Sequence, residues 1–311
     1  MEASLSPDLS DAFSSTYRVV RWYTASEIPQ SLKEGLQKLA PHIDESSWAQ
    51  RLTFGGIFLN GRVPESLDTP LPCPCCIEYY EPRFQISEAS SFFPAFRADQ
   101  IVYQDEDLVA AYKPPGLPSM PARDQAQFSL KQQLDHHLSC TIHMPSRLDM
   151  SAQGLLVMST QERMHKPLQR LFEERKLCKS YCLLTDTAPS WEEQTCVEPI
   201  GLDARHPVLR KVRGQNAQDA ETHFTVLQRH PDGSALLRAQ PKTGRTHQIR
   251  VHAAYLGCAI RGDKFYSSKP EAQLHLLSYK LEFIHPIGRH SLSIRLPERF
   301  CPAWAPQSHL L

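Results

Sequence analysis

The chain has 311 residues, 41% of them hydrophobic, with 34 basic and 34 acidic side chains. That length predicts one large domain and one small one, and the apolar content excludes disorder as the dominant state. The charge is uneven: residues 1–96 hold 7 Lys+Arg against 12 Asp+Glu, a net −5, which leaves +5 and 13 of the 14 histidines to the remainder. A polyanion would therefore meet the C-terminal two thirds. No run approaches the roughly 18 apolar residues of a membrane helix. The opening MEASLSPDLSD is acidic and has no apolar stretch, so a cytoplasmic protein is expected. The nine cysteines are irregularly spaced, which argues against a disulfide framework.

In chain order, residues 1–15 read as a disordered tail and 16–82 as the small domain. Within it Leu32, Leu36 and Leu39 recur at helical spacing and Pro41 ends the helix. Asp44 caps a second helix carrying Trp48 and Leu52, stopped by Gly55-Gly56. Ile57–Leu59 reads as a strand, Asn60-Gly61 as a tight turn, and Arg62-Val63 as the returning strand. This helix–helix–hairpin pattern resembles the αL RNA-binding motif, but Arg51 and Arg62 are its only nearby cations; RNA contact and simple packing both stay open. Ten of the 25 prolines fall between Pro64 and Pro121, a density that excludes long helices and marks a linker over 83–100. Cys73-Pro74-Cys75-Cys76 has no second ligand pair nearby, so no metal site is expected.

The large domain, 101–311, is predicted as strands Ile101–Tyr103 and Leu108–Ala111 around an acidic turn, and a helix with the stripe Met164, Leu168, Leu171, Phe172. The strand Lys179–Leu184 follows, then an antiparallel pair Phe224–Leu227 and Ala235–Arg238. A helix over His247–Leu256 with Thr246 as cap and Gly257 as stop comes next, and strands Leu281–Ile284 and Leu292–Arg295 close the set. Strands dominate and crossover helices are few, so the expected class is α+β around a mainly antiparallel sheet.

Three segments carry chemistry. In Arg147-Leu148-Asp149-Met150-Ser151-Ala152-Gln153-Gly154 a single aspartate sits in a turn beside an arginine and ahead of an apolar run. Apolar surroundings raise a carboxylate's pKa and a nearby arginine lowers it, which suits an anionic nucleophile in a dry pocket. In Lys179-Ser180-Tyr181, Lys179 and Tyr181 share one strand face, and a tyrosine there can stack on a base or exchange a proton. In Lys242-Thr243-Gly244-Arg245-Thr246-His247-Gln248-Ile249-Arg250, a glycine turn delivers Arg245 to a helix start, with Arg250 following; both suit an anionic partner.

Taken in order, RLDMSAQGLLVMS, KSYCLL, PKTGRTHQIRVHAAYLGCAIRGDKFY and LHLLSYKLEFIHPIG resemble the RluA-type family of RNA pseudouridine synthases over residues 100–298, opening with IVYQDEDLVAAYKPPGLPSMPAR. The resemblance implies the pseudouridine synthase fold with flanking helices and a central cleft, and an isomerase that needs no cofactor and acts on ribosomal or transfer RNA. It implies Asp149 as the catalytic aspartate, Tyr181 as the tyrosine stacking on the target base, and Arg245 as the arginine paired with the carboxylate. Arg147, Lys179, Ile249 and Arg250 fall in the same motifs as substrate-contacting positions. The chain departs from the family at Ser146, where histidine is usual, and at Ala152 and Gln153, where two hydroxyls are usual, which bears on loop geometry and substrate preference. The basic stretch 205–213, with Arg205, Arg210, Lys211 and Arg213, is a candidate RNA-contacting loop. A monomer is expected. The competing reading is a catalytically silent RNA-binding or ribosome-assembly protein on the same fold.

Overall fold

The structure, a computed structural model, describes residues 18–24, 28–41, 43–54, 57–80, 94–121, 129–204, 209–268 and 273–309. The expected tail over 1–15, most of the expected linker, the helix-stopping Gly55-Gly56 and Arg205 lie outside these residues. The chain divides into two compact units, Met1–Ala95 with Met120–Gln133, and Phe96–Ser119 with Leu134–Leu311.

The first unit sets helices α1 (Leu32–Leu39) and α2 (Glu45–Phe54) against a three-stranded sheet. Its strands are β1 (Arg18–Tyr23), β2 (Ile57–Leu59) and β3 (Cys75–Tyr80), in the order β1-β3-β2. Ser31 caps α1 by accepting from the Glu34 amide at 3.3 Å, and Asp44 caps α2 by accepting from the Ser47 amide at 2.8 Å. Asn60 and Gly61 both turn left-handed, φ 50° and 76°, as a tight hairpin turn requires. The return strand differs from the expectation. Arg62 makes only an isolated bridge to Leu59, and β3 pairs with β2 through Ile57↔Tyr79 and Leu59↔Ile77. The reason is burial: Cys75, Ile77 and Tyr79 alternate into the core with Leu32, Leu36 and Trp48, whereas Val63 is 41% exposed. Cys75 and Cys76 are thus core residues, and among the described residues no three His, Cys, Asp or Glu side chains are grouped to hold a metal ion.

The second unit is built on a nine-stranded sheet. Its strands are β4 (Ile101–Gln104), β5 (Leu108–Lys113), β6 (Gln153–Ser159), β7 (Cys178–Thr185), β8 (Glu193–Cys196), β12 (Thr222–Arg229), β13 (Ala235–Pro241), β14 (Leu276–Ile284) and β15 (Ser291–Arg295). The order is β4-β5-β6-β14-β7-β13-β12-β8, with β15 on β14. Every pairing is antiparallel except β6 with β14, which places the start of β6 beside Leu277 and Ser278. A smaller sheet joins β10 (Arg210–Val212), β9 (Ile200–Leu202) and β11 (Gln215–Gln218) in that order. Helix α3 spans Leu130–Leu138, α4 Glu162–Glu173 and α5 Gln248–Tyr255. Met164 and Leu168 of α4 pack on Leu155, Val157 and Leu277 in the main core. The result is an α+β fold with a mixed, mainly antiparallel sheet. Among the described residues no helix is long and apolar enough to cross a membrane.

Candidate active site

Asp149 lies in the turn that leads into β6, and that turn is held from both sides. Ser119 Oγ donates to the Leu148 carbonyl at 2.8 Å and accepts from the Leu148 amide at 3.0 Å. On the other side, the Gly116 amide and Lys113 Nζ donate to the Met150 carbonyl at 2.9 and 3.1 Å. Lys113, fully buried at the end of β5, spends its remaining donors on the carbonyls of Pro114 and Leu117, at 2.9 and 2.7 Å. Burial pushes this ammonium down to about 7, against the pull of the Asp149 charge. Gly154, the second residue of β6, has φ 120°, and a Cβ there would run into the Ser278 backbone of β14. Only glycine lets the two strands close at this register, and that closure sets where the Asp149 turn begins.

The carboxylate is held asymmetrically. Arg250 Nη1 donates to Asp149 Oδ2 at 2.9 Å. Among the described residues Oδ1 accepts no hydrogen bond, and the side chain keeps 24% exposure. Burial would raise this carboxyl, but the Arg250 charge and hydrogen bond, with His247 and Arg147, hold it below the usual aspartate range. Arg250 is itself 3% exposed and is fixed from behind: its Nε and Nη2 both donate to Asp263 at 2.8 Å. Asp263 in turn accepts from the Phe265 amide at 2.9 Å, and the rings of Phe265 and Tyr266 lie 4.9 and 5.3 Å from the guanidinium.

This corrects the assignment of Arg245 as the carboxylate's partner. Arg245 Nε donates to the Asp219 carbonyl at 2.9 Å and Nη1 to Gln218 Oε1 at 2.7 Å, on the β11–β12 connection. Arg245 precedes a left-handed residue, His247 at φ 57°, which turns the chain before α5 begins. His247, not Thr246, is therefore the residue at the helix cap, and the buried face of α5 presents Arg250. Arg250, expected among the substrate-contacting positions, lies buried between two carboxylates, Asp149 and Asp263.

Tyr181 lies in β7 opposite Ser278 of β14 and Ala239 of β13, and is 9% exposed. Burial raises its phenol, and the Asp149 charge raises it further, so the group stays protonated. It can offer a ring face and an O–H, but not a phenolate base. Lys179, two residues earlier, makes no hydrogen bond or ion pair among the described residues and lies 5.9 Å from the Phe172 ring. Burial lowers its ammonium. Arg147 is exposed, with Nη2 3.4 Å from Thr246 Oγ1, and Ile249 is buried in α5. In the basic hairpin Lys211 is exposed, Arg210 Nη1 donates to the Leu209 carbonyl, and Arg213 is bound through Nε and Nη2 to Glu198 at 2.8 and 3.0 Å.

Sequence reasoning missed Lys113, His247, Asp263 and Tyr266 as site residues. The Gly-Asp and Tyr of RGDKFY carried a signal for the last two, but the carboxylate behind Arg250 is visible only once the chain has folded back on α5.

A family model described as RNA pseudouridylate synthase matches residues 107–255, the span that holds Asp149, Tyr181 and Arg250. The chain is 33% identical over 208 residues to the dual-specificity RNA pseudouridine synthase RluA of Salmonella typhimurium, covering 64% of this chain and 93% of that protein. It is 31% identical over 211 residues to the uncharacterized RNA pseudouridine synthase YhcT of Bacillus subtilis, covering 65% and 70%. Among solved structures, human RNA pseudouridylate synthase domain containing 4 superposes with a TM-score of 0.52 at 26% identity, covering 68% of this chain and 90% of that one. Human RNA pseudouridylate synthase domain containing 1, at 23% identity and a TM-score of 0.57 over 67% and 88%, shares the fold.

Proposed function

This chain belongs to the RluA-type family of RNA pseudouridine synthases, isomerases that act on RNA, and we propose that it converts specific uridines of ribosomal or transfer RNA with Asp149 as its nucleophile. The observation that carries the reading is the asymmetric carboxylate: Oδ2 is gripped by Arg250, Oδ1 accepts no hydrogen bond among the described residues, and the Asp149 charge acts on the Tyr181 phenol. In the reaction the bond from ribose C1′ to uracil N1 breaks, the base turns, C5 bonds to C1′ and loses its proton, and N1 takes up a proton; nothing is oxidised or reduced. Oδ1 is the atom free to attack or to assist departure of the base. Arg250, rigid on Asp263, keeps that carboxylate ionised although it lies deep in the fold. Tyr181 offers its ring to the uracil as a stacking face, worth roughly 1–3 kcal/mol for a base on an aromatic side chain.

The uridine must leave its stack to reach Oδ1, at a cost of a few kcal/mol. Cations without internal partners suit the phosphates that would offset that cost. Lys179, with no partner among the described residues, and the exposed Lys211 fit this role better than Arg213, which Glu198 already neutralises. Asp149, Tyr181, Arg250 and Asp263 all come from one chain, and a monomer is part of this reading. The test is a single-nucleotide map of pseudouridines in RNA from cells with and without the gene. Loss of defined sites on deletion, restored by the wild-type gene but not by Asp149→Asn, is the expected result. Restoration by Asp149→Asn would overturn the reading.

A further inference from the structure

Near Asp149 Oδ2 sits a buried histidine with no part in the proposed steps. His247 Nε2 lies 3.9 Å from Asp149 Oδ2, and its Nδ1 lies 2.8 Å from the Tyr266 hydroxyl. The Tyr266 oxygen also receives the backbone N–H of Arg210 at 3.0 Å. An amide nitrogen can only donate, so the phenol oxygen accepts there and its own hydrogen is left for His247 Nδ1. The opposite arrangement would give that oxygen two donors and leave its own hydrogen without an acceptor among the described residues. It would also turn an imidazole lone pair toward the carboxylate. Two separate considerations therefore place the ring proton on Nε2, facing Asp149.

We infer that His247 is a positioning residue for the isomerisation, held by Tyr266 as the Nε2–H tautomer so that its N–H faces Asp149 Oδ2 and leaves Oδ1 to the base. This rests on the reading of Asp149 as nucleophile. The ring is 8% exposed and lies against Phe265, with ring centres 5.6 Å apart. The charged and titratable groups around it are Arg250 and Arg210, Asp149 and Asp263, and Tyr266. Burial, and then the Arg250 charge, push it down to about 4 against the pull of the two carboxylates. It is thus a neutral donor at pH 7, orienting the carboxylate without competing for its proton. The backbone cost of its left-handed φ of 57° is met by a position that delivers the ring to this spot.

The test has two arms on the full chain. Nitrogen-15 NMR of labelled histidine in the wild-type protein should show His247 neutral and protonated at Nε2 from about pH 5 to 8; Tyr266→Phe should release that preference. An Nδ1–H tautomer or an imidazolium at pH 7 in the wild type would overturn the inference, whatever the variants do. In single-turnover kinetics on an RNA substrate, His247→Ala should lower the rate constant roughly tenfold, one factor of ten per ~1.4 kcal/mol of barrier, with apparent affinity within about twofold. His247→Gln, whose amide nitrogen reaches the Nε2 position, should recover most of that loss, and His247→Asn should not. Equal rates for the Ala variant and the wild type, or for the Ala and Gln variants, would sink it. Asp149→Asn in the same assay separates the two readings: turnover there removes the nucleophile, whereas its absence beside a wild-type rate for His247→Ala removes only this role.

Discussion

At the residue scale the site depends on which of two arginines, five positions apart, faces inward. Arg250 is gripped by Asp263 and spends its third contact on Asp149; Arg245 is spent on Gln218 and Asp219. Arg250→Lys should therefore lose most activity, because a point charge cannot serve two carboxylates as a planar fork does, while Arg245→Lys should retain it. Initial rates on one RNA substrate decide this; equal losses would contradict the geometry. The pH profile follows from the same contacts. In the proposed reaction Asp149 acts as the ionised carboxylate, and its folded pKa is depressed, so activity should persist as pH falls to below the ordinary aspartate value of about 3.9. Any stability the ion pair contributes likewise is present above that value and is lost as pH falls through the folded pKa. In Arg250→Gln burial acts without its main opponent and the acid limb should move up. A limb that stays in place would show that Arg250 does not set the ionisation.

At the element scale, the strands and helices with clean apolar spacing were legible: α1, α2, α4, β5, β7 and the β12–β13 hairpin are where periodicity puts them. β1 and β3 were not: CCIEYY follows prolines and a cysteine that read as connection, and RVVRWY borders the segment that reads as a tail. In the site, Asp149 and Tyr181 stood out because each is the one chemically apt residue in its motif. The inward arginine did not, because the left-handed turn at His247 leaves no trace in periodicity. Lys113 was invisible for a related reason: its function is a set of carbonyls contributed by segments up to 37 residues away. Lys113→Met should leave the Pro114 and Leu117 carbonyls without their donor and cost about 3 kcal/mol, read as a lowered urea midpoint together with lost activity. Gly154→Ala should destabilise the β6–β14 pairing by forcing the Ser278 backbone away; an unchanged midpoint would contradict the close approach described.

At the scale of the molecule, a neutral chain divides its charge so that the half bearing the site is the basic one. RNA affinity should fall as salt rises, since phosphate contacts release counterions. Lys211→Ala should weaken binding modestly and reduce the slope of log affinity against log salt by about 0.7–0.9, the share of one phosphate contact, with the single-turnover rate at saturation unchanged. A slope identical to wild type would remove the hairpin from the RNA interface. The most direct test of the central claim is tritium release from C5-labelled uridine in a substrate RNA, paired with RNA-binding measurements, for the wild type and Asp149→Asn. Release is expected from the wild type and none from the variant, with RNA affinities within a few-fold of each other. Release by Asp149→Asn at the wild-type rate would contradict it.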